Sequence, residues 1–96
     1  MKTTLKSKPR NIIGAKVKLA RIRNKITQEQ LAARLELNDV QIDRIAISRI
    51  ESGNRFVADY EVVELAKALN ISVEFLLSVD WELIITLYFG FILLYL

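Results

Sequence analysis

The sequence predicts an all-α fold of five short helices, and three observations carry that prediction. Apolar residues recur at helical spacing, most plainly Val62, Leu65, Ala66 and Leu69 at i, i+3, i+4 and i+7. Thr27-Gln28-Glu29-Gln30 has the form of a capping box, in which a Thr hydroxyl and a Gln side chain three residues later satisfy each other's backbone amides. The stretch Asp43-Arg44-Ile45-Ala46-Ile47-Ser48-Arg49-Ile50-Glu51-Ser52-Gly53 opens on an N-cap and closes on a glycine stop. Brief connectors between such segments specify one helical domain over residues 11–78. A basic flexible arm, residues 1–10, precedes it, and an apolar tail, residues 79–96, follows.

A chain of 96 residues makes one small domain that buries about 60 to 65% of its unfolded surface. Cysteine and histidine are both absent, which removes disulfides, thiolate nucleophiles, Cys/His zinc sites and every catalytic dyad that uses imidazole. No enzyme, metal or cofactor is expected, because no nucleophile and base can be assembled and the carboxylates read as caps and solvated faces. The missing cysteines fit a cytoplasmic protein. The net charge of +3 is unevenly spread: residues 1–25 hold nine of the fourteen cations and none of the eleven acids. A basic front and an acidic back suit oriented approach to a polyanion, either nucleic acid or anionic lipid. A solvated arm kept for solubility is the plainer alternative.

In chain order, Asn11 is placed to cap a helix running to about Asn24, with Ile13, Val17 and Ala20 on one face and Lys16, Lys18 and Arg23 outside. Lys25-Ile26 closes the turn. The capped second helix buries Leu31, Ala32 and Leu35, and Gln28 sits at its start, where free amides and the helix dipole favour a phosphate oxygen. Glu36 to Ile42 forms a connector whose Asn38-Asp39 pair favours a turn. In the third helix Ala46, Ile47 and Ile50 make an apolar stripe, while Arg44, Ile45, Ser48 and Arg49 fall to the other side. Asn54-Arg55 is an exposed corner, and Phe56 and Val57 are expected to tuck under the core. Asp59 is expected to cap the fourth helix, Asn70 to end it in a left-handed conformation, and Ser72 to cap a fifth through Phe75, Leu76 and Leu77.

These residues resemble the helix-turn-helix of phage Cro and repressor proteins, the xenobiotic-response-element type. The matching features are Ile13-Gly14, Arg21, Thr27 to Ala32, Ile47 to Arg55 and Leu65 to Ser72, in the family's order across residues 11–78. The resemblance implies a phage-repressor-like fold and a DNA-binding transcriptional regulator, a repressor acting as a homodimer on double-stranded DNA. It implies that Arg21 and Glu51 form a partly buried ion pair tying the first helix to the third. Arg44, Ile45, Ser48 and Arg49 match the groove-facing, base-reading positions. Gln28, Asn54 and Arg55 match phosphate contacts, and the cations of the first helix, Lys16 and Lys18, add sequence-blind attraction. Each has a plainer reading: Arg44 and Arg49 as solvated cations, Ile45 as core, Ser48 as bonded to its own helix. The same fold also serves as a protein-interaction module, such as a membrane-tethered cytoskeletal adaptor or an antitoxin-like partner.

The sequence departs from the family in one place. The connector of seven residues, 36–42, exceeds the usual three or four, so the second helix lengthens or a turn is added before the third. Ile47 to Gly53 keep their anchors either way, whereas Arg44 and Ile45 depend on how the connector delivers the helix.

The resemblance stops before the tail. Of residues 83–96, only Thr86 and Gly90 are not apolar, and no helical or strand period is visible. As a helix the run would span about 21 Å, short of the roughly 30 Å hydrocarbon core, and Asp80 and Glu82 flank it where cations would be expected. Three readings stay open: a membrane anchor or membrane-surface segment, an element packing on the domain or a second copy, or an end with no selected role.

Overall fold

The computed structural model describes residues 8–78 and Gly90. Five helices follow in order: α1 (Gly14–Arg23), α2 (Gln28–Leu37), α3 (Arg44–Glu51), α4 (Asp59–Leu69) and α5 (Val73–Leu77). The expected all-α class holds, and no strand occurs among the described residues. Most of the arm and almost all of the apolar tail lie outside the described residues, as do the membrane and self-association readings of residues 83–96. Among the described residues, no helix is long and apolar enough to cross a membrane.

One core holds the helices together. Ile13, Val17 and Ala20 from the start and face of α1 meet Leu31 and Leu35 of α2, Ile47 and Ile50 of α3, and Val62, Leu65, Ala66 and Leu69 of α4, with Leu76 of α5 closing one side. The stripes expected at helical spacing are the buried ones, and burial of large aliphatic side chains, worth about 1.5 to 3 kcal/mol each, supplies the main driving force.

Local chemistry sets the helix ends. Thr27 Oγ1 accepts from the Gln30 amide at 3.0 Å, and Gln30 Oε1 accepts from the Thr27 amide at 2.8 Å, completing the capping box. Asp43 and Ser72 cap α3 and α5 as expected, accepting from the Ala46 amide at 2.8 Å and the Phe75 amide at 3.0 Å. Asn70 ends α4 in the left-handed region with φ 58°. Two ends differ from expectation. The helical ladder of α1 begins at Gly14, yet Asn11 still serves it, its Oδ1 accepting from Ile13 and Gly14 while its amide donates to the carbonyls of Ile50 and Arg55. Asp59 is the first residue of α4 rather than its cap. Ala58 holds the cap position, and Glu61 reaches back to accept from the Ala58 amide at 3.0 Å.

The long connector resolves into both of the devices open to it. Glu36 and Leu37 extend α2. Asp39 then turns in the left-handed region at φ 62°, the Val40 amide donates to the Leu35 carbonyl, and Ile42 is buried in the core. The chain is thus pinned one residue before the cap of α3. Phe56 corrects another expectation: it is 72% exposed, whereas Val57 packs against the core.

Gly14 lies where the start of α1 crosses the end of α3. A Cβ there would fall inside the van der Waals envelope of the Ile50 carbonyl oxygen and 2.9 Å from that of Glu51. Both obstacles are backbone and cannot rotate away. Gly14→Ala is therefore expected to lower stability by about 1 to 3 kcal/mol, read as a fall in the denaturant midpoint with unchanged slope.

Candidate nucleic-acid interface

Helix α3 separates two environments along its length. Ile47 and Ile50 are buried, and on the opposite side Arg44, Ile45, Ser48 and Arg49 are all exposed. Ile45, at 51% exposure, belongs to the open face rather than the core. Neither Arg44 nor Arg49 is in an ion pair among the described residues, and the Ser48 hydroxyl makes no bond to another described residue. It is Ser52 whose hydroxyl bonds back to a helix carbonyl, that of Arg49, at 3.1 Å. The four base-reading candidates thus share one unobstructed surface with a donor-rich character.

The last turn of α3 is clamped. Arg21 Nε donates to Glu51 Oε2 at 2.7 Å and Arg21 Nη2 to Glu51 Oε1 at 3.1 Å, with the two side chains only 13% and 5% exposed. The pair expected from the resemblance is therefore present in this geometry. The Arg21 guanidinium is pushed above its ordinary value by the Glu51 hydrogen bond, against the opposing effect of burial. Arg21 also donates to the Ile26 carbonyl at 3.0 Å, and Gln28 Nε2 donates to Glu51 Oε1 at 3.1 Å. Gln28 accordingly stands at the start of α2 with part of its amide committed to the clamp.

The remaining phosphate candidates are placed unevenly. Lys18 is exposed on α1. The Lys16 ammonium donates to the carbonyl of Ser78 and, at 2.7 Å, to its hydroxyl, 5.9 Å from the centre of the Phe75 ring. It is thereby held against α5. Asn54 is exposed beside α3, its backbone N–H donating to the Arg49 carbonyl at 2.8 Å. Arg55 is forked onto Glu61, with Nη1 and Nη2 at 3.0 and 3.2 Å from the two carboxylate oxygens and a further bond to the Phe56 carbonyl. The Glu61 pairing had no signal at sequence level beyond its own helical position, three residues after Ala58.

A shallow hollow beside α3 is lined by Arg10, Asp43, Ile45, Ala46, Arg49, Asn54, Arg55 and Phe56. Arg10 is the member that sequence reasoning left unassigned. Its amide donates to the Gly53 carbonyl at 2.8 Å, so the end of the expected flexible arm is tied to the loop that follows α3.

The two ion pairs respond differently to perturbation. Glu51→Ala would leave the Arg21 guanidinium facing a gap in a mostly buried setting, and we expect a loss of about 3 kcal/mol in chemical denaturation. The Arg55 fork holds the Glu61 carboxyl below its ordinary value of 4.5, with burial opposing and the Ala58 amide assisting. A depressed carboxyl contributes stability that is complete above the unfolded value and disappears as pH falls through the folded one. Acid titration from pH 5 downward should therefore show this contribution being lost below about 4.5, and Glu61→Gln should flatten that limb of the stability curve.

The helix-turn-helix family model, of the Cro/C1 type, matches residues 17–76. A crystal structure of a hypothetical transcription factor, NHTF, from Neisseria is similar at TM-score 0.65 and 23% identity, covering 80% of this chain and 83% of that one. At that identity the likeness speaks for the fold. No curated protein matches the chain. With the family model spanning α2, the connector, α3 and α4 in full, the chain belongs to the Cro/C1-type helix-turn-helix family.

Proposed function

We propose that this protein, a DNA-binding transcription regulator by its family, reads specific sequence in the major groove with α3 and acts as a repressor. The observation that carries the proposal is the open face of α3: Arg44, Ile45, Ser48 and Arg49 stand exposed above buried Ile47 and Ile50, on a helix capped at one end and clamped at the other. Arg49 and Arg44 would offer bidentate donors to guanine O6 and N7, Ser48 a short donor or acceptor, and Ile45 an apolar contact for a thymine methyl. Gln28, Asn54, Lys18 and the start of α2 would meet phosphates on either side, setting register without reading sequence.

An eight-residue helix reaches few base pairs, which favours two copies of the chain on half-sites about one helical turn, roughly 34 Å, apart. Occupying such a site excludes other proteins from it, the simplest route to repression, and the setting would be cytoplasmic. The role is binding rather than catalysis. The α3 face offers donors suited to base edges, and the Ser48 hydroxyl bonds to no general base among the described residues.

Selecting sites from a random duplex pool and then measuring anisotropy tests this directly. Arg49→Ala should weaken the selected duplex by about 1 to 3 kcal/mol and relax preference at one base position, with little change on unrelated DNA. An equal loss on every duplex would overturn base reading by Arg49.

A further inference from the structure

Phe56 is a large apolar side chain left 72% exposed beside the recognition surface, and Arg10 explains it. The Arg10 guanidinium lies 5.5 Å from the centre of the Phe56 ring. Its backbone is anchored by the 2.8 Å bond from its amide to the Gly53 carbonyl, and Pro9 rests over Gly53, where a Cβ would meet the proline ring at 3.4 Å. Gly53 itself adopts φ 82°, a conformation glycine accepts readily. An arginine held near an aromatic ring by its π-face keeps its in-plane N–H donors available to a second, anionic partner.

We propose that Arg10, seated on Phe56, is a phosphate-binding residue of the DNA interface, supplying beside the loop after α3 a cation that no carboxylate pairs among the described residues, where Arg55 is paired to Glu61. The proposal rests on the DNA-binding reading above. Arg10 and Arg55 line the same hollow, together with Arg49 and Asn54. Arg55 has its charge matched by Glu61 and spends Nη1 and Nη2 on that carboxylate and on the Phe56 carbonyl. Arg10 has no carboxylate partner among the described residues. The hollow's own carboxylate, Asp43, has Oδ1 committed to capping α3 through the Ala46 amide. With Arg55 paired to Glu61, the hollow sets Arg10 and Arg49 against the single carboxylate of Asp43, so an anion entering it meets a net positive charge with Asn54 beside it. A phosphodiester has the charge and the oxygen spacing to accept a guanidinium edge, and Arg10 contacts it without reading the base.

The test is anisotropy on two duplexes, the selected site and a scrambled one, over a series of salt concentrations, with wild type, Arg10→Ala, Phe56→Leu and Arg49→Ala. Arg10 is exposed, and a thermal melt of Arg10→Ala matching wild type would confirm an intact fold. Arg10→Ala should weaken both duplexes by the same several-fold factor and reduce the log–log salt slope by about one. Phe56→Leu should weaken both by a smaller factor with the slope retained, because the charge stays while its seat is lost. Wild-type slope and affinity in Arg10→Ala would overturn the assignment, and wild-type affinity in Phe56→Leu would overturn the seat. Loss of specificity in Arg49→Ala alongside a neutral Arg10→Ala would remove Arg10 while leaving the recognition helix in place. A slope change in Arg10→Ala with no specificity change in Arg49→Ala would do the reverse. Wild-type protein that binds neither duplex would overturn both.

Discussion

The fork between Arg21 and Glu51 is the interaction on which the exposed face of α3 depends. One carboxylate, 95% shielded from solvent, receives donors from two other helices: the guanidinium of α1 and, through Gln28, the side-chain amide of α2. Buried charges gain little net stability when paired, since desolvation offsets attraction, but they tolerate few alternative geometries. The fork therefore fixes the pose of α3 more than it adds to the strength of the fold, which comes from the aliphatic core. The close crossing at Gly14 and the Asn11 bonds to Ile50 and Arg55 hold the same end of α3 from a second direction.

Much of this was legible in the sequence because it rests on local chemistry or on period. The caps at Thr27, Asp43 and Ser72, the left-handed Asn70 and the buried stripes of α1 to α4 all follow from residues within one or two turns of each other. The Arg21–Glu51 pair, 30 residues apart, was reached only through the family resemblance. What stayed hidden was long-range or ambiguous. Asp59 and Glu61 are both acids in the first turn of α4, and pattern alone does not say which serves the helix start; the fold decides by placing Arg55 opposite Glu61. Phe56 looked like core because aromatic burial is the default, and the default failed where a cation from the far end of the chain took the ring face. The open side of α3 was readable as a face, but only the structure puts Arg10 beside it.

The lopsided charge of the sequence also divides on folding. The described cations of residues 1–25 do not act as one patch. Arg21 is consumed by the clamp and Lys16 is held at the end of α5, while Lys8, Arg10, Lys18, Arg23 and Lys25 remain exposed. Total charge along a segment is thus a poor guide to the field that a polyanion meets; the internal partners of each cation set it.

The connector between α2 and α3 carries a consequence for how such a protein can change. Its length does not set the position of the recognition helix, because buried Ile42 and the Asp43 cap locate the helix start independently of the turn at Asp39. Lengthening a flexible surface link costs only about 0.6 kcal/mol per doubling of its length. Insertions at the exposed Asn38–Asp39 turn are therefore cheaper than those between Ile42 and Asp43, so the two helices of the motif can drift apart in sequence yet stay in register in space.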